Sequence, residues 1–226
     1  AEMLTLCTDL DGSSEVGGLF LLPGERAGGV GKLLARSRYL FMKIHRPRFA
    51  DRTIAELRGA YDETGNSPFW DGVAGRFFGM SFREADDFNA IHGNQFIADL
   101  MPKHPIYTAM IPESAIAVMG TPHLSGRAAM RMLEDEGFTF QNYIDIFDGG
   151  PTMVASTDRI TTVHDARAVR VTAIRPIEQG EPMIAATGRL ARFRAAYAEI
   201  APEGDGAALS PEVAETLGVG VDDMIT

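Results

Sequence analysis

Cysteine is nearly missing from this chain: Cys7 is the single thiol in 226 residues. One thiol excludes an internal disulfide and a cysteine-rich metal site, and it fits a reducing, cytoplasmic compartment. Long hydrophobic runs are missing as well. No apolar stretch approaches the length of a membrane span, and the first residues show no basic-then-apolar signal pattern. Basic residues are in deficit, with 21 Lys and Arg against 31 Asp and Glu and a formal net charge of −10. That balance excludes general nucleic-acid binding, which needs a basic footprint, and it tolerates a cationic substrate. No set of His, Cys, Asp and Glu has metal-ligand spacing. Internal repeats and low-complexity segments are absent too. What remains is an ordinary globular composition, 45% hydrophobic and 23% charged, long enough for one large or two small domains.

The most informative segment runs from Leu19-Phe20-Leu21 through Arg26-Ala27-Gly28-Gly29-Val30-Gly31 into an amphipathic stretch. A strand, a glycine loop and a helix in that order expose backbone N–H groups at the helix start, where an anion binds. Glycines allow close backbone approach to a pyrophosphate, and Arg26 adds a fixed positive charge. The loop is not a P-loop, because Gly31-Lys32 is followed by Leu33 and supplies no hydroxyl for Mg²⁺. It suits a pyrophosphate bound without metal, as in coenzyme A. The other reading is a plain turn.

The pattern predicts a helix over 29–45 stopped by Pro47, a strand over 53–61, and a helix from Asn66-Ser67-Pro68 to Gly79 carrying Phe69, Trp70, Phe77 and Phe78 as core. Residues 83–124 read less clearly, with helical stretches at 96–101 and 113–119. A helix capped by Ser125 runs to Glu136, a strand with one irregularity covers 138–147, and Asp148-Gly149-Gly150-Pro151 is a turn. From 160 onward short apolar runs and turn residues indicate a small β-rich domain, with a short helix from Ser210-Pro211 to Gly218.

Several of these segments, namely Gly12-Ser13-Ser14-Glu15, the loop from Arg26 to Gly31, Ser67-Pro68-Phe69-Trp70, Arg76-Phe77-Phe78, Leu100-Met101-Pro102-Lys103-His104-Pro105-Ile106-Tyr107 and Asn142-Tyr143-Ile144-Asp145-Ile146-Phe147-Asp148-Gly149-Gly150-Pro151-Thr152, carry a resemblance. The sequence resembles arginine N-succinyltransferases, acyl-CoA-dependent enzymes of the GCN5-related N-acyltransferase superfamily. The resemblance implies an α/β fold: an acetyltransferase-like mixed sheet with flanking helices over 1–159, plus a small C-terminal β-rich domain over 160–226. It implies succinyl transfer from succinyl-CoA to the α-amino group of L-arginine, the first step of arginine breakdown by the succinyl route. Transfer to ornithine, or a non-catalytic acyl-CoA-binding subunit, are the alternatives. It implies no permanently bound cofactor, an oligomer of like or paired subunits, and a cytoplasmic enzyme with neither membrane nor nucleic-acid partner. Family members carry a long segment before the strand at Leu19, so the chain is expected to be a trimmed one that needs a partner for its exposed sheet edge.

By the same resemblance, the strand over 16–21 holds acyl-CoA through the backbone of Leu19 and Leu21, and Arg26, Gly28, Gly29 and Gly31 hold the pyrophosphate. His123 is the acid that protonates the leaving thiolate, with His104 as the competing candidate. Among residues suited by type alone, Glu15, Glu56 and Asp145 fit a guanidinium, and Arg58 or Lys103 fits the succinyl carboxylate.

Overall fold

The computed structural model describes residues 1–93 and 95–226. In chain order the first elements are β1 (Met3–Leu4), β2 (Ser14–Glu15), α1 (Val30–Ile44), β3 (Arg52–Glu56), α2 (Pro68–Gly72), α3 (Gly75–Phe78), α4 (Phe82–His92) and α5 (Gln95–Leu100). Then follow β4 (Ile106–Tyr107), α6 (Glu113–Ile116), α7 (Arg127–Asp135), β5 (Thr139–Ile144), β6 (Pro151–Ser156) and α8 (Thr161–Asp165). The chain closes with β7 (Val169–Ile174), β8 (Glu181–Thr187), β9 (Arg194–Glu203), β10 (Gly206–Leu209), α9 (Pro211–Leu217) and β11 (Met224–Ile225). Among the described residues no helix is long and apolar enough to cross a membrane.

Compactness does not follow a single cut after residue 159. One unit comprises residues 1–17 and 52–155, and the other residues 18–51 and 156–226.

The first unit is built on a mixed four-stranded sheet in the order β2-β3-β6-β5, with β2 parallel to β3 and β5 antiparallel to β6. β5 is irregular as expected: its register shifts between Phe140 and Ile144, and Asn142 sits at φ 63°. Helices pack around a core of Phe69, Trp70, Val73, Phe82, Ile97 and Ile111. Ser67 starts α2 by accepting the Trp70 N–H, with Pro68 at the first helical position. The single helix expected to reach Gly79 is two short ones, because Val73 leaves the helical region at φ −125°, ψ −87°. Close packing dictates the glycines there. A Cβ on Gly72 would come within 2.5 Å of the Ala115 Cβ, and one on Gly75 within 2.6 Å of Trp70. Of the four aromatics expected as core, Phe69 and Trp70 are buried and Phe78 packs against them, but Phe77 is 48% exposed.

The strand expected over 16–21 is not formed. The Val16 N–H still reaches the Ile54 carbonyl at 2.9 Å, but the strand itself closes at Glu15. Gly17 and Gly18 follow, the latter at φ 64°, and neither offers a side chain to hold a pleat. Leu19, Phe20 and Leu22 then lie exposed on irregular chain. The expected α7 cap is also displaced: His123, not Ser125, caps the 3₁₀ turn that leads into α7.

In the second unit, α1 buries Ala35, Tyr39, Leu40 and Met42. His45 ends the helix as a fully buried imidazole. Its Nε2 accepts the Leu190 N–H at 3.2 Å, so Nδ1 donates to the Phe41 carbonyl at 2.9 Å. The β-rich C-terminal part forms one sheet, β11-β7-β10-β9-β8. That sheet curls until its outer strands meet: Ala186 and Thr226 exchange two backbone hydrogen bonds, both 2.8 Å. Val171, Ala185, Leu209, Leu217 and Ile225 fill its interior. α9 follows its sequence signals, with Ser210 accepting from the Val213 N–H, Pro211 at the first helical position and Gly218 closing it at φ 70°. An α/β chain with a mixed sheet, flanking helices and a curled C-terminal β-sheet is the fold class the sequence implied.

Candidate active site

Three loops of the first unit meet around Asp148. This residue is 7% exposed. Oδ2 accepts the Gly59 N–H at 2.8 Å and the Tyr61 hydroxyl at 3.1 Å, and Oδ1 accepts the Gly150 N–H at 2.9 Å. A side chain on Gly59 or Gly150 would strike backbone at 2.3 Å or less, so only glycine lets these strands approach. The Gly120 N–H donates to the Gly149 carbonyl (2.8 Å), and Gly59 bridges Pro122. The His123 N–H then donates to the Arg58 carbonyl at 2.8 Å. The loops that carry Arg58, Tyr61 and His123 are thus tied to one buried carboxylate.

His123 is partly buried. Its Nδ1 accepts the Ser125 N–H at 3.2 Å and lies 2.8 Å from the Ser125 hydroxyl. An Nδ1 that accepts a backbone N–H carries no proton in the neutral ring, so the proton sits on Nε2. Nε2 makes no hydrogen bond among the described residues. The Tyr61 ring lies 5.8 Å from the imidazole, centroid to centroid. Tyr61 also takes the Arg58 Nε–H at 2.8 Å. Burial first, and the charge of Asp148, push the Tyr61 phenol up to about 12, against the pull of Arg58. The phenol therefore stays protonated and passes its hydrogen bond on to Asp148.

Acidic groups gather at the ends of β2 and β3 and in the loop between β5 and β6. The register pairs Glu15 of β2 with Ile54, two residues before Glu56 on β3. Partial desolvation, then the charges of Asp145, Glu15 and Asp148, hold the Glu56 carboxyl above its ordinary range. Asp145 is raised too, by burial and then by Asp148, although the Phe147 and Asp148 N–H groups bond its carboxylate at 2.8 and 2.9 Å. Four carboxylates at close quarters suit a cationic ligand. Among the described residues no group of His, Cys, Asp and Glu could hold a metal ion.

The glycine loop belongs to the second unit. Gly28 and Gly29 adopt φ 63° and 78°, and Gly29 is the N-cap of α1. The N–H groups of Gly28, Gly29 and Gly31 have no acceptor among the described residues. The Tyr197 hydroxyl donates to the Gly29 carbonyl at 2.7 Å. Arg26 is exposed, and its Nε donates to the Leu21 carbonyl at 3.0 Å. Leu19 and Leu21 lie on irregular chain instead of the expected strand. His104 is exposed on the loop before β4, and Lys103 donates to the Ala98 carbonyl at 2.7 Å, closing the end of α5.

Comparison with known proteins decides the family. The model for the arginine N-succinyltransferase beta subunit matches residues 1–162, and that for its C-terminal domain matches residues 167–226. The chain belongs to the arginine N-succinyltransferase beta subunit family. It is 47% identical over 173 residues to the arginine N-succinyltransferase of Enterobacter sp. strain 638, covering 76% of this chain and 50% of that protein. It is 40% identical over 223 residues to the one from Escherichia coli strain 55989, covering 98% of this chain and 65% of that protein. Subunit AI of the arginine/ornithine succinyltransferase of Pseudomonas aeruginosa superposes with a TM-score of 0.83 at 35% identity, covering 99% of this chain and 64% of that structure. The chain therefore spans about half to two thirds of the length of these relatives.

Within this family fold, sequence reading missed Tyr61 and Asp148 as parts of the site. Asp148 stood in the turn that was recognised, but an Asp in Asp-Gly-Gly-Pro reads as turn chemistry. The signal that would have found Tyr61 is its spacing from Arg58 across Gly59, visible only once the loop is seen to fold around Asp148.

Proposed function

We propose that this chain supplies the main part of an enzyme that transfers succinyl from succinyl-CoA to the α-amino group of L-arginine, giving N2-succinylarginine and CoA. The deprotonated amine attacks the thioester carbonyl carbon, a C–N bond forms, the nitrogen releases its surplus proton to solvent, the C–S bond breaks, and the leaving thiolate takes a proton. His123 donates that proton from Nε2 as the imidazolium, its Nδ1–H held by the Ser125 hydroxyl 2.8 Å away, and is left as the neutral ring. The observation that carries this reading is the pinned imidazole, whose Nδ1 is occupied by the Ser125 N–H and whose Nε2–H is uncommitted. Family membership supports the reading. So do the carboxylates Glu15, Glu56 and Asp145, which suit the guanidinium. Arg26, Gly28, Gly29 and Gly31, preceded by Leu19 and Leu21, hold the CoA pyrophosphate at the start of α1. No permanently bound cofactor is needed, and the enzyme works in the cytoplasm as an oligomer of like or paired subunits.

The test is CoA release from succinyl-CoA on adding L-arginine, measured on the enzyme that contains this chain, with and without His123→Ala. Turnover falls about 10²- to 10⁴-fold in the variant while succinyl-CoA affinity is nearly kept, the loss typical of a missing general acid. A fall below about threefold, or a large loss in His104→Ala alone, overturns the assignment of His123. No transfer by the unmodified enzyme overturns the reading and leaves a non-catalytic acyl-CoA-binding subunit. Ornithine belongs in the same assay, because the similar Pseudomonas aeruginosa protein is named for both amino acids.

A further inference from the structure

Arg58 is fixed at one end and free at the other. Its Nε–H donates to the Tyr61 hydroxyl, and its guanidinium carbon stacks 4.3 Å from the centre of the Tyr61 ring. Tyr61 is itself anchored on Asp148, which the Gly59 and Gly150 N–H groups hold in place. The two terminal nitrogens make neither a hydrogen bond nor an ion pair among the described residues. The Tyr61 hydrogen bond first, then the charges of Asp148 and Asp86, hold the guanidinium above its ordinary pKa, but neither carboxylate occupies its fork. The main chain of Arg58 also receives the His123 N–H, and the Tyr61 ring beneath the guanidinium borders the imidazole. A planar fork is thus held open to solvent beside His123.

A guanidinium fork binds a carboxylate through two parallel hydrogen bonds. Both substrates of the proposed reaction carry one: the far end of the succinyl group, and the α-carboxylate of the amino acid. Lys103, the other cation suited by type, already closes α5. We propose that Arg58 is a carboxylate anchor of the transfer site, oriented by Tyr61 and Asp148, and that it determines selectivity for a carboxylate-bearing substrate. This rests on the succinyl-transfer reading.

The experiment compares the unmodified enzyme with Arg58→Met and Arg58→Lys on two substrate pairs: succinyl-CoA against acetyl-CoA, and L-arginine against agmatine, which is arginine without its carboxylate. Loss of a charge-assisted pair raises KM about 10- to 100-fold for the substrate whose carboxylate is held and leaves its carboxylate-free counterpart nearly unaffected. A collapse of the succinyl-to-acetyl preference assigns the anchor to the acyl donor. A collapse of the arginine-to-agmatine preference assigns it to the acceptor. Arg58→Lys restores part of the preference, because it keeps the charge but not the fork. Equal losses on all four substrates, or no change on any, overturn the proposal. If the unmodified enzyme transfers no acyl group, the succinyl-transfer reading fails instead. Calorimetric binding of succinate and of L-arginine then tests Arg58 by itself: the proposal stands if Arg58→Met weakens either about tenfold or more and falls if it weakens neither.

Discussion

At the scale of single residues, the carboxylate cluster is where stability and binding pull apart. Glu56 is held above its ordinary pKa by partial desolvation and by Asp145, Glu15 and Asp148. A carboxyl raised by folding is penalised when ionised and free of penalty when protonated. The penalty is therefore absent below the ordinary glutamate pKa and develops fully as pH rises through the raised one. Glu56→Gln should raise the melting temperature at neutral pH, and the gain should vanish as the pH is brought below the ordinary glutamate range. Solvent screens part of the repulsion, so the rise is small, about 1–2 °C. If the cluster receives the guanidinium, the same variant raises KM for arginine about tenfold. Calorimetry across pH, paired with steady-state kinetics, checks both. An equal gain at pH 4 and pH 7 would show that charge is not the cause. Residue types alone singled out Glu15, Glu56 and Asp145 as suited to a cation. They hid Tyr61 and Asp148, whose roles come from a fold that brings residues 59 and 148 together.

At the scale of elements, local signals were legible where the chain satisfies its own backbone. α1 and α9 lie close to their expected bounds because their caps and stops are encoded within a few residues. α4 went unread even though Ser81 and Glu84 form a capping box, since Arg83, Asp86 and Asp87 dilute its apolar periodicity. The strand over 16–21 failed for the opposite reason: an apolar run was present, but a ladder needs a partner, and the Gly17-Gly18 pair ends the one beside β3. The pyrophosphate role proposed for the glycine loop does not rest on that strand, because Gly28, Gly29 and Gly31 lie at the first turn of α1. Arg26→Gln tests it. The Arg26 side chain is exposed and, among the described residues, bonds only the Leu21 carbonyl, so melting should stay within about 0.5 kcal/mol of the unmodified protein. CoA affinity should fall about tenfold through loss of a charge-assisted contact. Unchanged affinity by titration calorimetry would remove the pyrophosphate from this loop.

At the scale of the whole molecule, sequence order and compactness part company. Residues 18–51 belong with 156–226, an association that no composition shift reveals because it depends on long-range packing. Closure of the C-terminal sheet is equally invisible in sequence, since Met224 and Ile225 form too short a run to read as a strand. Yet Ile225 is 1% exposed, β11 pairs antiparallel with β7, and Thr226 meets Ala186 of β8. This short strand is what leaves the curled sheet without two open edges. Ile225→Ala removes side-chain volume from among Val171, Ala185, Leu209 and Leu217. Loss of a buried isoleucine to alanine costs about 2–5 kcal/mol. The amides of Val171 and Ala186, which bond to Asp223 and Thr226, should lose hydrogen-exchange protection ahead of those in the β8–β9 pairing, because they sit at the seam. A loss below about 1 kcal/mol, or unchanged protection at those two amides, would mean that the sheet holds its curl without β11.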